Sequence, residues 1–371
     1  MENLTAIEGQ PYINTLLANG YETVEDPLRP GKQLLFKDNN LQNALWNTAQ
    51  LNNYTIGIDG GTERTAYNVS LGYVDQGGIF AGTGYKRFSG LGNFSFRVTD
   101  KFRIDLNSQY QFNKTGFVND QFVILTRGSR LTPLVRTYYD NGLPAPGENL
   151  NTRTRLHELF YDDRRISTDR FTIRLAGDYV IIKGLHYRPA ISLLTSNFRH
   201  LFQQEQFPGT IQPGDPGQKF NQVSDDKQFL TDQLLQYDFG IGRHSLTALV
   251  GFNYTRNVNY NFSATSSRAS NNYVFTIAEP IVRNENGQVR ANYLGVGSSL
   301  NEFRSSSYFG QVNYDFDGRY LLGVALRYDG FSNFAPNKKF AFFPSASAGW
   351  NIARETFWKV SQVNQLKLRA S

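Results

Sequence analysis

The chain has 371 residues, enough for one large β domain or two domains of ordinary size. It contains no cysteine, which excludes disulfides and thiolate metal sites. The net charge is +6, but the Lys and Arg residues are scattered and form no run, so a nucleic-acid partner is not indicated. Aromatic residues make up 14% of the chain and charged residues only 19%, a composition typical of β-rich proteins.

The first 52 residues differ from the rest. Residues 4–24 predict a short helix or two ending near Gly20, and the prolines and glycine within 27–31 then break the pattern. We therefore expect residues 1–52 to be a loop or linker with a short helix, ahead of a β domain that covers residues 53–371.

Period-two alternation dominates the β domain, most clearly at 102–112, 170–181, 245–254, 311–316 and 320–329. Successive side chains of a strand point to opposite faces, so each segment has one apolar and one polar face. In the first of them the apolar face is formed by Phe102, Ile104, Leu106, Tyr110 and Phe112, and the polar face by Arg103, Asp105, Asn107, Gln109 and Gln111. We count about twelve candidate strands, most of about 9–14 residues, against the roughly 9–11 that a membrane strand needs.

The connections carry a second signal, because short turns and long loops alternate. The short turns are Thr99-Asp100-Lys101, Lys183-Gly184, Ile241-Gly242-Arg243 and Asp317-Gly318-Arg319, whose glycines supply the positive φ of tight hairpins. The long loops are predicted at 113–168, 199–225 and 258–302. A compact soluble domain rarely carries such loops, whereas a membrane barrel has short turns on one side and long loops on the other.

These signals favour an all-β, antiparallel transmembrane β-barrel. No apolar run of about 18 residues and no secretory signal occur, and the mean hydropathy of −0.45 is uninformative because alternating faces cancel. The alternative is a soluble β-sandwich or solenoid, in which the apolar face packs on a core. In a barrel, aromatic residues at strand ends would form interfacial girdles, as expected for Phe112, Tyr254, Phe316, Tyr320 and Tyr328.

The sequence offers little catalytic chemistry. None of the four histidines, His157, His186, His200 and His244, has a metal-ligand spacing or a nearby nucleophile pattern. The pairs Asp162-Asp163 and Asp225-Asp226 are candidate Ca²⁺ ligands, although solvated loop charge explains them better. We predict no enzyme activity and no cofactor.

Several ordered motifs resemble those of the SusC/RagA-like TonB-linked outer-membrane transporters. They are Leu45-Trp46-Asn47-Thr48-Ala49, the run from Ile56 to Ser70, Gly72 to Ile79, Tyr85 to Gly90, Leu131-Thr132-Pro133-Leu134, Tyr308 to Tyr314, Gly318 to Leu322, Arg327 to Gly330, and Phe343 to Trp350. The resemblance covers most of residues 40–371. It implies a plugged barrel of about 22 strands in the bacterial outer membrane, energised through the TonB complex. It also implies a SusD-like surface lipoprotein partner and an oligosaccharide or peptide substrate.

Measured against that family, the chain is expected to be a partial protein. The signal peptide, TonB-contacting segment, plug and final strands have no counterpart in it, so it would span roughly the first half of the barrel after its opening strand. Alone, such a sheet would carry two unpaired edges, and we expect it to aggregate or pair edge to edge without transporting.

Three functions remain as alternatives. The leading one is active import of oligosaccharides or similar nutrients with a lipoprotein partner. The others are a passive porin or adhesin barrel, and a soluble carbohydrate-binding β domain. Aromatic residues in the predicted long loops are candidates for stacking on substrate, although packing within the loops is the simpler interpretation: Tyr138, Tyr139, Phe160, Tyr161 and Tyr273.

Overall fold

In the computed structural model, most of the chain is described. The described residues are 2–3, 11–36, 41–116, 138–139, 141–145, 155–203, 218–267, 293–360 and 362–371. Tyr273 of the predicted site lies outside them.

The N-terminal region forms a small unit ahead of the main sheet. It contains β1 (Glu2–Asn3), α1 (Pro11–Ala18), β2 (Glu22–Glu25), β3 (Gln33–Phe36) and α2 (Leu41–Leu45), and the three strands pair in the order β1-β3-β2. The helix begins at Pro11 and ends before Gly20, whose φ of 82° lets the backbone N–H of Tyr21 reach the carbonyl of Leu16 at 3.1 Å. Helix α1 was predicted, and the three short strands were not.

The rest of the described chain is one antiparallel meander. Its strands are β4 (Leu51–Gly61), β5 (Thr65–Gly77), β6 (Gly84–Thr99), β7 (Phe102–Gly116), β8 (Asp163–Ile182), β9 (Leu185–Gln203), β10 (Gln218–Ile241), β11 (His244–Ser267), β12 (Tyr293–Phe316), β13 (Tyr320–Phe331), β14 (Phe340–Asn351) and β15 (Lys367–Ala370). They form a 12-stranded sheet in which every strand pairs with its neighbours in sequence. A helix, α3 (Arg155–Tyr161), lies between β7 and β8.

The four predicted short turns are confirmed. They lie at one end of the sheet, the short-turn end, and the opposite end is called the loop end below. Gly184, Gly242 and Gly318 have φ of 86°, 59° and 63°, the left-handed conformation that glycine adopts without steric cost. The carbonyl of Gly184 accepts from the backbone N–H of Asp238 at 2.8 Å, and the carbonyl of Gly318 accepts from Asn351 Nδ2 at 3.2 Å, so each turn is joined to the next hairpin.

Two expectations about the connections are wrong. Strands β10, β11 and β12 have 24 residues each and extend into the loops predicted at 199–225 and 258–302. On β10 the segment 218–228 mixes polar residues on both faces, so alternation gives no signal there. The turns also do not alternate strictly in length, because the loop end has short connections at 78–83 and 332–339, whereas 352–366 at the short-turn end is longer.

The sheet has no packed core of its own. The buried apolar clusters in the described part of the chain are the pairs Leu16–Leu35 and Leu45–Leu156, and both lie outside the large sheet. Leu322 and Val324 in β13, by contrast, are 53% and 50% exposed. A soluble sandwich would bury that face, so these exposures favour the barrel over the soluble alternatives. Among the described residues, no helix is both long and apolar enough to cross a membrane.

Candidate functional site

The candidate site is the wall itself, whose two faces differ in chemistry. On β11 the apolar face carries Leu246, Ala248, Val250, Phe252 and Tyr254, counted from the short-turn end. Five outward positions span about ten residues, which at about 3.3 Å each and a tilt near 40° give a band of about 25 Å. That is the height of the apolar band of an outer-membrane barrel.

The neighbouring strands carry about five to seven uncharged outward positions each, and a charged position ends the band every time. The first charged side chain on the apolar face toward the loop end is Asp75 on β5, Lys86 on β6, Lys114 on β7, Asp169 on β8, Arg199 on β9, Lys227 on β10, Arg256 on β11 and Arg304 on β12. Lys86 and Asp75 form an ion pair at 3.1 Å. This row of charges indicates the boundary between the hydrocarbon layer and the lipid head groups.

Aromatic side chains mark both limits of the band. The residues predicted for girdles, Phe112, Tyr254, Phe316, Tyr320 and Tyr328, all lie on the apolar face. Phe316 and Tyr320 stack near the short-turn end with ring centroids 6.2 Å apart. Their placement agrees with interfacial anchoring of a barrel.

A few polar groups lie within the band, and they bond to each other. The Tyr187 hydroxyl donates to Gln233, whose amide donates to Thr231 Oγ1 at 2.8 Å. Thr231 in turn donates to the carbonyl of Ala190 at 3.1 Å. Polar groups facing lipid must find partners within the protein, and this chain of bonds provides them.

The opposite face is polar and laced with hydrogen bonds between strands. Asn107 Nδ2 donates to Asn93 Oδ1 at 2.9 Å, and Asn253 Nδ2 donates to Asp232 Oδ1 at 2.6 Å. Arg174 lies 3.8 Å from Asp232 although a whole strand separates them. The intervening residue, Ala190, is small enough for the guanidinium to pass over it. A solvated, cross-linked face suits the lining of a wet lumen.

Near the short-turn end these bonds form a belt across β8, β9, β10 and β11. His186 Nδ1 lies 2.8 Å from Asp178 Oδ1, and Arg188 donates to Asp178 at 3.3 Å and to Gln236 at 2.7 Å. Gln236 and Thr247 then donate to Asp238 at 2.7 and 2.8 Å. The belt comprises Asp178, His186, Arg188, Gln236, Asp238 and Thr247. The sequence analysis missed it because its members are far apart in sequence and only register brings them together.

Toward the loop end the polar face becomes aromatic on two strands. Phe198, His200 and Phe202 of β9 and Phe220 of β10 share that face, and the rings of His200 and Phe220 are 5.2 Å apart. The Arg164 guanidinium lies 4.5 Å from the Phe202 ring centroid. On β9 the apolar side chains lie on the lipid face at Ile191 and Leu193 but on the lumen face nearer the loop end. A single alternation pattern applied to the whole strand would therefore place these rings on the wrong face.

The predicted loop aromatics are only partly brought together. Tyr138 and Tyr139 are 44% and 43% exposed beside a tight turn, while Phe160 and Tyr161 are neighbours on α3 with rings 4.8 Å apart. Phe160 is 59% exposed. Their contact with substrate stays a prediction.

Helix α3 is anchored to the loop end by a small apolar contact. Leu156 packs with Leu45 of α2, and Phe80 and Trp46 meet edge to face at 5.6 Å. The backbone N–H of Ala81 donates to the carbonyl of Leu45 at 2.8 Å. The N-terminal unit and the segment before β8 are thus held over the β5–β6 turn.

The aspartate pairs do not form a cation site in the described residues. Asp225 and Asp226 are successive on β10 and so lie on opposite faces, and Asp163 is occupied by Arg165 at 2.6 Å. Within the described ranges, no three His, Asp or Glu side chains come together in a group that could hold a metal ion.

An apolar band of bilayer height, aromatic limits and a polar inner face define a β-barrel protein of the outer membrane. Residues 109–371 match the family described as TonB dependent receptor-like, beta-barrel, and the chain belongs to that family. The resemblance seen in the sequence is thereby confirmed, and with it the fold class and the outer-membrane location.

Curated relatives and solved structures agree with this assignment. The chain is 28% identical over 353 residues to TonB-dependent receptor P3 of Formosa agariphila, covering 89% of this chain and 33% of the relative. It is 24% identical over 363 residues to TonB-dependent receptor SusC of Bacteroides thetaiotaomicron, covering 88% of this chain and 34% of the relative. The chain thus spans about a third of the length of these relatives.

The fold also superposes on solved structures of the RagAB peptide transporter. One gives a TM-score of 0.74 at 21% identity, covering 90% of this chain and 37% of the other. The open-open state of the RagAB importer gives 0.74 at 18% identity, covering 97% and 39%. At these identities the likeness is one of fold.

Proposed function

We propose that this chain forms part of the wall of an active, TonB-dependent importer of the outer membrane. The cargo is an oligosaccharide or a similar oligomeric nutrient such as a peptide, and a SusD-like surface lipoprotein is the partner. The protein is a transporter and not an enzyme.

The observation that carries the proposal is the contrast between the two faces of one sheet. The lipid face is uncharged over about 25 Å, whereas the opposite face carries Arg174, Asp232 and Asn253 at comparable heights. A lining of amide, carboxylate and guanidinium groups offers hydrogen bonds to hydroxyl-rich or peptide cargo.

The names of the relatives support TonB-dependent transport, and one of them supports peptide cargo. SusC is named as a TonB-dependent receptor, and RagAB is described as a peptide transporter. Exposed aromatic side chains on the loop end, Phe160 among them, are the parts of this chain that we assign to first contact with cargo.

Uptake measurements on the full-length protein test the proposal. Cells that carry or lack the gene would be given fluorescent oligosaccharide pools and, separately, peptide pools, with and without a protonophore. We expect gene-dependent uptake that stops when the proton gradient collapses. Uptake that continues without the gradient would instead identify a passive porin.

The partner is tested separately. Affinity purification of the full-length protein from mild detergent should retain one surface lipoprotein in a near-equal ratio. Recovery of the barrel protein alone, still folded by heat-modifiable migration, would contradict the lipoprotein assignment while leaving the uptake result untouched.

A further inference from the structure

A compact charged cluster lies on the lipid face, just beyond the apolar band. Arg256 of β11 and Arg304 of β12 are directly opposed in the register. Both donate from Nε to the same carboxylate oxygen, Oε1 of Glu302, at 2.6 and 2.7 Å. Like charges directly opposed across two strands destabilise a sheet, and here a single carboxylate bridges them.

The cluster has an excess of positive charge. Lys227 of β10 lies on the same face, one outward position beyond Phe229, which pairs with Arg256. Lys227, Arg256 and Arg304 therefore face one carboxylate, Glu302, with Asp225 one outward position further toward the loop end. The patch formed by Lys227, Arg256, Glu302 and Arg304 is called the basic patch below.

The guanidiniums retain donors for another anion. The side chains of Arg256 and Arg304 are 49% and 54% exposed, and Glu302 engages only their Nε groups. A guanidinium has five N–H donors in a fixed fork that matches two oxygens of a phosphate group. Two half-exposed forks side by side are a strong arrangement for binding such a group.

The height of the basic patch identifies the source of that phosphate. Arg256 is the first charged outward position on β11 and comes directly after Tyr254, and Arg304 comes directly after Ser306 on β12. In a barrel the long connections lie outside the cell, so this end of the band meets the outer leaflet. Tyr254, Phe252 and Tyr308 below the patch, with Phe252 and Tyr308 rings 4.9 Å apart, offer a surface for acyl chains.

We propose that the basic patch binds the phosphate of a phosphorylated glycolipid of the outer leaflet, with the acyl chains against the aromatic surface below it. Phosphate would sit between the two guanidiniums and Lys227, replacing solvent. This lipid contact is independent of what the protein imports.

The test uses the full-length protein in detergent and native mass spectrometry with purified bis-phosphorylated lipid A. The double variant R256Q/R304Q should retain lipid A roughly tenfold less than the wild type, since two charge-assisted contacts are lost. The matched control is Arg174→Gln, which removes an acid-paired arginine from the lumen face and should leave retention unchanged. Heat-modifiable migration verifies folding of every variant.

A second variant separates ligand binding from a structural role. Glu302→Gln removes the competing carboxylate and should raise lipid A retention, whereas a purely structural cluster would be weakened by this change too. Dephosphorylated lipid A should bind at the level of the double variant. Equal retention of phosphorylated and dephosphorylated lipid, or displacement by millimolar inorganic phosphate as effective as by lipid A, would overturn the proposal.

Discussion

Leu106 and Asn107 are adjacent on β7 but lie in different media. Leu106 pairs with Phe94 and Leu175 on the lipid face, whereas Asn107 bonds to Asn93 on the lumen face. We expect Leu106→Arg in the full-length protein to cost about 2–4 kcal/mol, because it places a charge near the bilayer midplane. Asn107→Arg should cost far less. Denaturant unfolding in lipid vesicles measures both, and equal costs would show that the faces are exchanged.

Two turn glycines with the same conformation differ in their surroundings. A Cβ on Gly184 would lie 2.3 Å from the carbonyl oxygen of Asp238, while one on Gly242 would have nothing within 4 Å. Asn tolerates the left-handed conformation, so Gly242→Asn should fold nearly normally. Gly184→Asn should reduce the folded fraction, because the clash is with backbone. Heat-modifiable migration after refolding compares the two, and similar yields would mean that the β8–β9 turn can shift.

At the scale of elements, one carboxylate joins the segment between β14 and β15 to the neighbouring strands. Glu355 accepts from the Trp350 indole at 2.9 Å and lies 3.4 Å from Arg319. The indole hydrogen bond, the Tyr320 hydroxyl and the charge of Arg319 hold the pKa of Glu355 below its usual range. A lowered pKa means that the carboxylate stabilises the fold above its unfolded pKa of about 4.3 and loses this effect as pH falls through the folded value.

Glu355→Gln should therefore make residues 352–366 easier to cleave by protease at pH 7. The difference from the wild type should shrink as pH falls through the lowered folded pKa of Glu355, because the wild-type carboxyl then becomes protonated as well. Limited proteolysis at pH 7 and pH 3.5, using an acid-active protease at the lower pH, gives the comparison. If the variant and the wild type differ in cleavage by the same factor at both pH values, the negative charge of Glu355 would not be the cause of the effect.

Much of the element structure follows from the sequence for physical reasons. Alternation across a two-faced strand and the conformational freedom of Gly184, Gly242 and Gly318 locate the hairpins. The upper half of β11 was wrongly predicted to be loop, although Val258, Tyr260 and Phe262 continue the alternation past Arg256. The lumen belt was not predicted, since Asp178 and Asp238 are linked only through the register of two pairings, β8–β9 and β9–β10. The aromatic rings on the lumen face of β9 were also not predicted, because the apolar residues of this strand change from one face to the other along its length.

At the scale of the whole molecule, the orientation in the membrane is open to direct test. The chain has no cysteine, so a single engineered cysteine gives this chain one site for a thiol-reactive label. Labelling of the unsubstituted full-length protein is the background to subtract. At Gly142, in the connection between β7 and β8, a membrane-impermeant maleimide should react on intact cells. At Gly242 it should react only after the outer membrane is permeabilised. Reversed accessibility would invert the barrel.

The 24-residue strands have a consequence for anything that approaches the cell. Only about ten residues of each are needed to cross the lipid, so the remainder rises roughly 35 Å above it at the usual rise and tilt. The wall therefore rises furthest above the lipid at β10, β11 and β12, since β5, β6 and β7 have 13, 16 and 15 residues and β13 and β14 have 12 each. This high sector projects into the polysaccharide layer outside the leaflet and shields one side of the wall from bulky molecules that diffuse along the membrane surface. Over this sector, phages and antibodies are expected to reach the exposed ends of the three strands before the wall at membrane level.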